Sequence, residues 1–370
     1  MIRFTFGGLL TRKLRTFLTA LAIVLGVAMI SGTYVLTDSI DKAFDTIFTD
    51  VREGSNVVIT GKSAFDLSEG SGVTEPSFDE SLLTKVRALP GVAEAEGSVD
   101  SDATQLIDQD GDAIVFGGAP NLGFSIANGN SRFNPLTLTE GSWPGPNQVV
   151  VDTGVADKKD FKIGDEIGVQ VEGPVQRLRI SGLVHFGSSD LSIGGATLAG
   201  FDLATAQRLF RKEGQLDEIA LAAKPGVSDT ELLAQVREIL PPGTQALSGA
   251  EQAREDAEET NEFISFLQNF LLAFGGIALF VGSFVIANSL SITIAQRTRE
   301  FATLRTLGAS RRQVLGSIIL ESLAVGAGAS LIGLFLGLLL AKGLFSLFDA
   351  VGFTLPNSGL VFETRTVIVA

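Results

Sequence analysis

Three stretches of the chain hold no charged residue for a membrane-scale length: Thr16 to Thr37, Phe263 to Gln296, and Ser322 to Ala341. A helix rises about 1.5 Å per residue, so roughly 20 residues cross a hydrocarbon core of about 30 Å. Each stretch reaches that length, and the pattern predicts three membrane-spanning helices. The second stretch, 34 residues, would be roughly 51 Å long as a helix. Upstream of it, Glu251, Glu255, Asp256, Glu258, Glu259 and Glu262 with Arg254 read as polar helix in water. One long helix is therefore expected to run from the aqueous phase into the bilayer.

Between Ser39 and Glu262 the periodicity changes to that of a mixed α and β domain. Asn56 to Thr60, Gln148 to Asp152, Glu166 to Val171 and Arg177 to Leu183 read as strands. Glu80 to Leu89, Leu203 to Lys212 and Asp229 to Leu240 read as helices, the first stopped by Pro90-Gly91 and the last by Pro241-Pro242-Gly243. Ala93 to Ile107 and Ala113 to Gly117 suggest a hairpin across Asp108-Gln109-Asp110-Gly111-Asp112, and Ser63 to Gly72 a flexible excursion.

Charge orients these elements. Arg3, Arg12, Lys13 and Arg15 precede the first span with no acid among them. Arg297, Arg299, Arg305, Arg311 and Arg312 stand between the second and third spans, with Glu300 the one acid before Val314. Basic short flanks stay in the cytoplasm, so the N-terminus and the 297–312 segment are both placed inside, and no span has to be skipped. The first span reads as an anchor rather than a signal peptide, because it exceeds an h-region and Met29-Ile30-Ser31-Gly32-Thr33 offers no A-x-A site. Tyr34 suits the membrane interface near its far end.

The fold class is thus an integral membrane α-helical protein, three complete spans and a fourth begun, with a large α+β extracytoplasmic domain. The expected divisions are 1–38, cytoplasmic segment and first span; 39–262, outer domain; 263–348, second and third spans with a cytoplasmic segment at 297–312; and 349–370, a short outer loop and the start of a fourth span. The whole chain has a net charge of −14 and a mean hydropathy of +0.33. The outer domain holds 17 basic against 37 acidic residues, a net −20, and reads as a solvated acidic surface.

Candidate chemistry is sparse. Asp108-x-Asp110-Gly111-Asp112 puts its glycine too early for an EF-hand and reads as a turn. Gly61-Lys62-Ser63 lacks the first glycine of a P-loop, since Asn56 stands there. His185 is the sole histidine, in the loop-like context Val184-His185-Phe186-Gly187. With no cysteine either, cysteine- or histidine-based metal cages are excluded, and no catalytic set is expected.

In the third span, Glu321 and Lys342 fall where the two interfaces would lie. Ser322, Gly326 and Ser330 recur at four-residue spacing, as do Ala329, Gly333 and Gly337. Small residues so spaced let helix backbones approach closely. The apolar Thr366 to Ala370 predicts a sequence cut at the start of a fourth span.

The phrase Arg297-x-x-Glu300-Phe301-x-x-x-Arg305-x-x-Gly308-Ala309, followed by Val314 and Glu321, resembles the permease subunits of MacB/FtsX-type ABC transporters. The span order, and phrases such as Leu89-Pro90-Gly91-Val92, Gly141-x-Trp143-Pro144 and Phe161-Lys162-Ile163-Gly164-Asp165, are similar too. By that resemblance the 297–312 segment is a coupling helix docking on a separate cytoplasmic ATP-binding subunit. Its coupling residues would be Arg297, Arg299, Glu300, Phe301, Leu304, Arg305 and Gly308. Phe301, Leu304 and Leu307 would form an apolar ridge, with the arginines meeting partner carboxylates. A positive-inside loop lying on anionic lipid is the alternative reading of the residues. The resemblance implies no cofactor in this chain, ATP and Mg bound by the partner, a permease dimer in a lipid bilayer of the cell membrane, and no nucleic acid. It implies export or extraction of a hydrophobic or amphiphilic substrate. The alternative is a regulator passing ATPase motion to a cell-wall hydrolase or sensor, without cargo.

Overall fold

The computed structural model describes residues 13–62, 75–115, 121–127, 129–186, 196–296, 298–350, 355 and 359–369. In chain order the elements begin with helix α1 (Lys13–Arg52), strands β1 (Val57–Gly61) and β2 (Phe78–Asp79), α2 (Ser81–Arg87), and β3 (Val92–Ser98), β4 (Asp100–Ser101), β5 (Gln105–Ile107), β6 (Asn121–Ser125), β7 (Leu136–Gly141) and β8 (Gln148–Asp152). Then come α3 (Thr153–Lys159), β9 (Glu166–Gln170), β10 (Gln176–Phe186), β11 (Thr197–Phe201), α4 (Leu203–Leu209), β12 (Gln215–Leu216), β13 (Glu218–Ala223), α5 (Asp229–Arg237) and β14 (Thr244–Ser248). The chain closes with α6 (Gly249–Gln296), α7 (Thr298–Thr306), α8 (Arg311–Ala350) and α9 (Thr364–Val369). It divides into two compact units, one of residues 40–263 and 348–358, the other of 1–39, 264–347 and 359–370.

The first unit is built on two main sheets. One is antiparallel, in the order β14-β1-β13-β3; the other is mixed, in the order β4-β6-β11-β8-β10-β9-β5, with β7 added against β10. β10 runs parallel to β8 and antiparallel to β9 and then β7. The run Val149-Val150-Val151 shows why the larger sheet is buried on both faces. All three valines are inaccessible, yet Val149 and Val151 join the main core while Val150 joins a second cluster with Val184, Phe186 and Leu198. Successive strand residues point to opposite faces, so a β-branched run without alternation needs cover on both sides. The main core covers one face; the outer segment of α1, through Ile47 with Phe44 and Val51, helps cover the other.

Local signals set the short helices of this unit. Asp152, Asp202 and Ser228 cap α3, α4 and α5, each side chain accepting the backbone N–H three residues on. α5 is followed by Pro241-Pro242 and by Gly243 at φ 86°. The Asp108 turn holds as read: its Oδ1 accepts the N–H groups of Asp110 at 3.1 Å and Asp112 at 2.9 Å, and Oδ2 accepts from Lys159 Nζ at 2.9 Å. The expected hairpin contracts to an Ile107–Ala113 bridge, and residues 116–117 lie outside the described residues. His185 is corrected from loop to strand. It lies in β10 opposite Thr137, with Nδ1 3.0 Å from Thr139 Oγ1. The Ser63–Gly72 stretch lies outside the described residues.

Among the described residues three helices are long and apolar enough to cross a membrane: Phe17–Arg52, Gln268–Asn288 and Arg311–Phe348. α6 is one helix of 48 residues, roughly 72 Å long, so the polar and apolar stretches do form a single helix. Half of the most apolar window of α1 is buried, against 11% for α6 and 17% for α8, so α1 is the inner helix of this group. Where a fourth span was expected, the described residues form the six-residue helix α9.

Candidate functional site

The basic segment between the two apolar helices is helical over Thr298–Thr306. Thr298 Oγ1 donates back to the carbonyls of Ile294 and Ala295, one helical turn earlier. α7 ends where Gly308 adopts φ 95°, its N–H reaching the Arg305 carbonyl at 3.1 Å. A left-handed residue after the last turn is the usual helix stop and suits glycine. Two residues later Ser310 opens α8. Its Oγ accepts the Gln313 N–H at 3.3 Å, while Gln313 Oε1 accepts the Ser310 N–H at 2.9 Å. This S-x-x-Q capping box lets a new helix begin at once.

The sequence-predicted coupling residues fall on this element. Arg299, Arg305, Arg311 and Arg312 are exposed, and among the described residues no ion pair engages them. Leu307 is 80% exposed, a large apolar side chain left in the open beside four cations. Arg297 lies outside the described residues, as do the side chains of Glu300, Phe301 and Leu304. The arrangement is a cationic helix with an exposed leucine just past its end. Its described side chains hold no grouping for acid–base or nucleophilic chemistry. Among the described residues no three His, Cys, Asp or Glu side chains converge as metal ligands.

The two small-residue stripes of α8 differ in surroundings. A Cβ added at Gly333 would lie 2.7 Å from Val27 Cβ, and one at Gly337 would lie 2.6 Å from both Cβ and Oγ of Ser31. Ala329 and Ala341, four residues to either side, are buried. This stripe lies against α1. Gly326 has nothing within 4 Å, Ser322 is exposed and Ser330 half-buried, so the expectation of close packing at Ser322 and Gly326 is not met within the chain. The two rows are seven residues apart and so lie within about 20° of each other around the helix; they differ along its axis, the Gly333 row being level with Val24 to Gly32 of α1.

Side chains that the sequence did not single out tie the ends of the spans. Thr37 Oγ1 accepts from Gln268 Nε2 at 2.9 Å, joining α1 to α6. Asp38, buried in α1, pairs with Arg365, whose guanidinium also lies 5.5 Å from the Tyr34 ring centre. The Val361 N–H donates to Ser39 Oγ at 2.9 Å. In the other unit, Arg52 at the end of α1 donates Nη1 to Glu218 Oε1 at 2.6 Å and Nη2 to Asp256 Oδ2 at 2.9 Å. One guanidinium thus fastens α1 to β13 and α6. These partners are over 160 residues apart in sequence, and no local pattern marks them.

Comparison with known proteins gives two family matches. The model of the MacB-like periplasmic core domain matches residues 16–239, and that of the FtsX-like permease C-terminal domain matches residues 272–368. Among relatives, the uncharacterized ABC transporter permease protein Rv0987 of Mycobacterium tuberculosis is 32% identical over 225 residues, 61% of this chain and 25% of that protein. The uncharacterized ABC transporter permease YknZ of Bacillus subtilis is 22% identical over 91% of this chain and 84% of its own length. The macrolide export ATP-binding/permease protein MacB of Escherichia coli K12 is 23% identical over 90% of this chain and 51% of its own length. The chain therefore spans about a quarter of the first relative and about half of the third.

Proposed function

Since the chain belongs to the family of ABC transporter permeases that join a MacB-like periplasmic core domain to an FtsX-like permease domain, we propose that α7 is the point where an ATPase subunit's cycle enters it. The observation that carries this reading is the cationic helix with an open apolar residue just past its end, set between two helices of membrane-spanning length. Exposed ion pairs contribute only about 0.2–1 kcal/mol each, so the arginines orient a partner while Leu307, with Phe301 and Leu304, supplies most of the binding. Arg297, Arg299, Glu300, Arg305 and Gly308 complete the docking element.

The family implies an ATP-binding partner. In our reading that partner is a separate cytoplasmic chain, which binds ATP and Mg, and two permease chains assemble with it in the lipid bilayer of the cell membrane. The N-terminus lies in the cytoplasm and the sheet-bearing unit outside. Motion imposed on α7 passes along α6, which is unbroken from Gly249 to Gln296, to the Arg52 clamp and the sheets. A non-catalytic chain of this kind exports or extracts a hydrophobic or amphiphilic substrate on the outer side.

Copurification of the chain with the ATPase encoded beside it is the test. Reversing Arg299 and Arg305 to Glu together, or changing Leu307→Asp, is expected to release the ATPase while leaving the chain in the membrane. Retention of the ATPase by both variants would refute docking at α7. ATPase stimulation by an added amphiphile supports transport. Activation of a copurifying hydrolase by ATP without such stimulation would replace the export reading by the regulatory one.

A further inference from the structure

The outer segment of α1 carries Phe44, Ile47, Phe48 and Val51 at spacings of three and four, which puts them on one face. The rings of Phe44 and Phe48 stack, with centroids 6.0 Å apart and planes at 19°. This face lies over the second face of the larger sheet, where β6 contributes Leu122 and Phe124 and β11 contributes Leu198. The cover is incomplete, and a cavity of about 210 Å³ remains between helix and sheet. Every lining side chain is hydrocarbon. Ile47 and Leu198 form part of a buried floor, while Phe44, Phe48 and Leu122 are half-buried at an open rim.

The chemistry of that lining restricts the occupant. Water needs two to four polar partners and finds none. A peptide would bring N–H and C=O groups that the cavity leaves unsatisfied. Apolar cavities of about 150 Å³ stay dry and take up benzene, so this one has room for a run of methylenes. An occupant with an apolar body and a polar end could leave that end in water at the rim. We infer that the cavity under Phe44 and Phe48 binds the hydrocarbon chain of an amphiphile, with its headgroup outside. This deepens the export reading, since it names a substrate class and its site. The binding itself belongs to the sheet-bearing unit and does not require the ATPase.

The test uses the full chain in lipid nanodiscs with two photoactivatable probes, a ten-carbon diazirine fatty acid added from water and a diazirine phosphatidylethanolamine placed in the bilayer. Adducts are expected on peptides covering residues 40–52 or 121–127, and their yield should fall at least tenfold in Leu122→Trp, which fills the cavity, and in Phe48→Glu, which charges its rim. Both variants should keep the parent melting temperature and the labelling of α8. Adducts from the fatty acid alone identify a ligand that arrives through water; adducts from the phospholipid identify a membrane lipid; either supports the site. Absence of adducts on these peptides while α8 is labelled, or unchanged yield in both folded variants, reduces the cavity to a packing gap and overturns the proposal. ATPase copurification is read on the same samples. In the parent chain, no labelling of these peptides with the ATPase retained sinks the cavity alone, and labelling without a bound ATPase sinks the docking reading alone.

Discussion

Alanine at Gly337 should separate α8 from α1, whereas alanine at Gly326 should not. A Cβ at Gly337 falls 2.6 Å from two atoms of Ser31 and 2.9 Å from the backbone nitrogen of Gly32. Ordinary contact begins at 3.4 Å, so one helix must retreat by about 0.8 Å, and the Gly32 backbone cannot swing aside as a side-chain tip would. Overpacking of this kind costs about 1–3 kcal/mol. Alanine also favours a helix over glycine by about 1 kcal/mol, but that gain applies at Gly326 too, where nothing lies within 4 Å. The difference between the two variants isolates the clash, and about 1–3 kcal/mol is roughly a 5–150-fold difference in an equilibrium constant. The native chain has no cysteine, so one dye-labelled cysteine on each helix reports their separation by energy transfer during detergent titration. Gly337→Ala should part the helices at lower denaturant than the parent, and Gly326→Ala at the same or higher. Equal behaviour of the two variants would show that α8 does not use this row against α1.

The Arg52 clamp should be worth about 2–4 kcal/mol, because its loss takes the guanidinium away from two half-buried carboxylates. Arg52→Ala should therefore lower thermal stability, and adding Glu218→Gln with Asp256→Asn should restore part of it; no recovery would mean the loss is one of packing. The Lys159 ammonium and the Asp112 N–H hold the Asp108 carboxyl below its ordinary 3.8, and Asp108 in turn raises Lys159 above its ordinary 10.5. The pair's stabilisation is thus full between those values. It is lost below pH 3.8 as Asp108 protonates, and above pH 10.5 as Lys159 deprotonates. Melting curves of Asp108→Asn should be flatter than the parent's in both windows, and parallel curves would contradict the pairing. At Gly308, with φ 95°, Gly308→Asn should be tolerated better than Gly308→Val, as read by hydrogen exchange at residues 307–310; equal exchange would mean the helix stop does not depend on that conformation.

Signals closed within a few residues were legible in advance. β8 was read at its observed ends, β1 and β9 within a residue, and the polar and apolar stretches of α6 as one helix. The capping residues Asp152, Asp202 and Ser228 act over three positions, and their helices were expected in two of three cases. β13 was not foreseen, although it is the central partner of β1 and β3. Its sequence EIALAA has neither alternation nor β-branched density, and only neighbours on both sides make it a strand. β11, TLAGF, is buried throughout and was missed for the same reason. At the candidate docking element charge and spacing point to the arginines, and the S-x-x-Q form of Ser310 and Gln313 is the local signal of the capping box that starts α8.

By itself, then, the sequence determined which segments are long and apolar enough to span a bilayer, which flanks are basic, and where most turns fall. Each of these depends on length, charge or a hydrogen bond within one helical turn. The tertiary structure alone decided that the strands sort into two main sheets, that the row through Gly333 and Gly337 meets α1 while Gly326 stays open, and that Arg52 and Asp38 find partners hundreds of positions away. Those outcomes follow from the fit of surfaces that meet only when the chain has folded, and spacing along one segment holds no record of the shape of another.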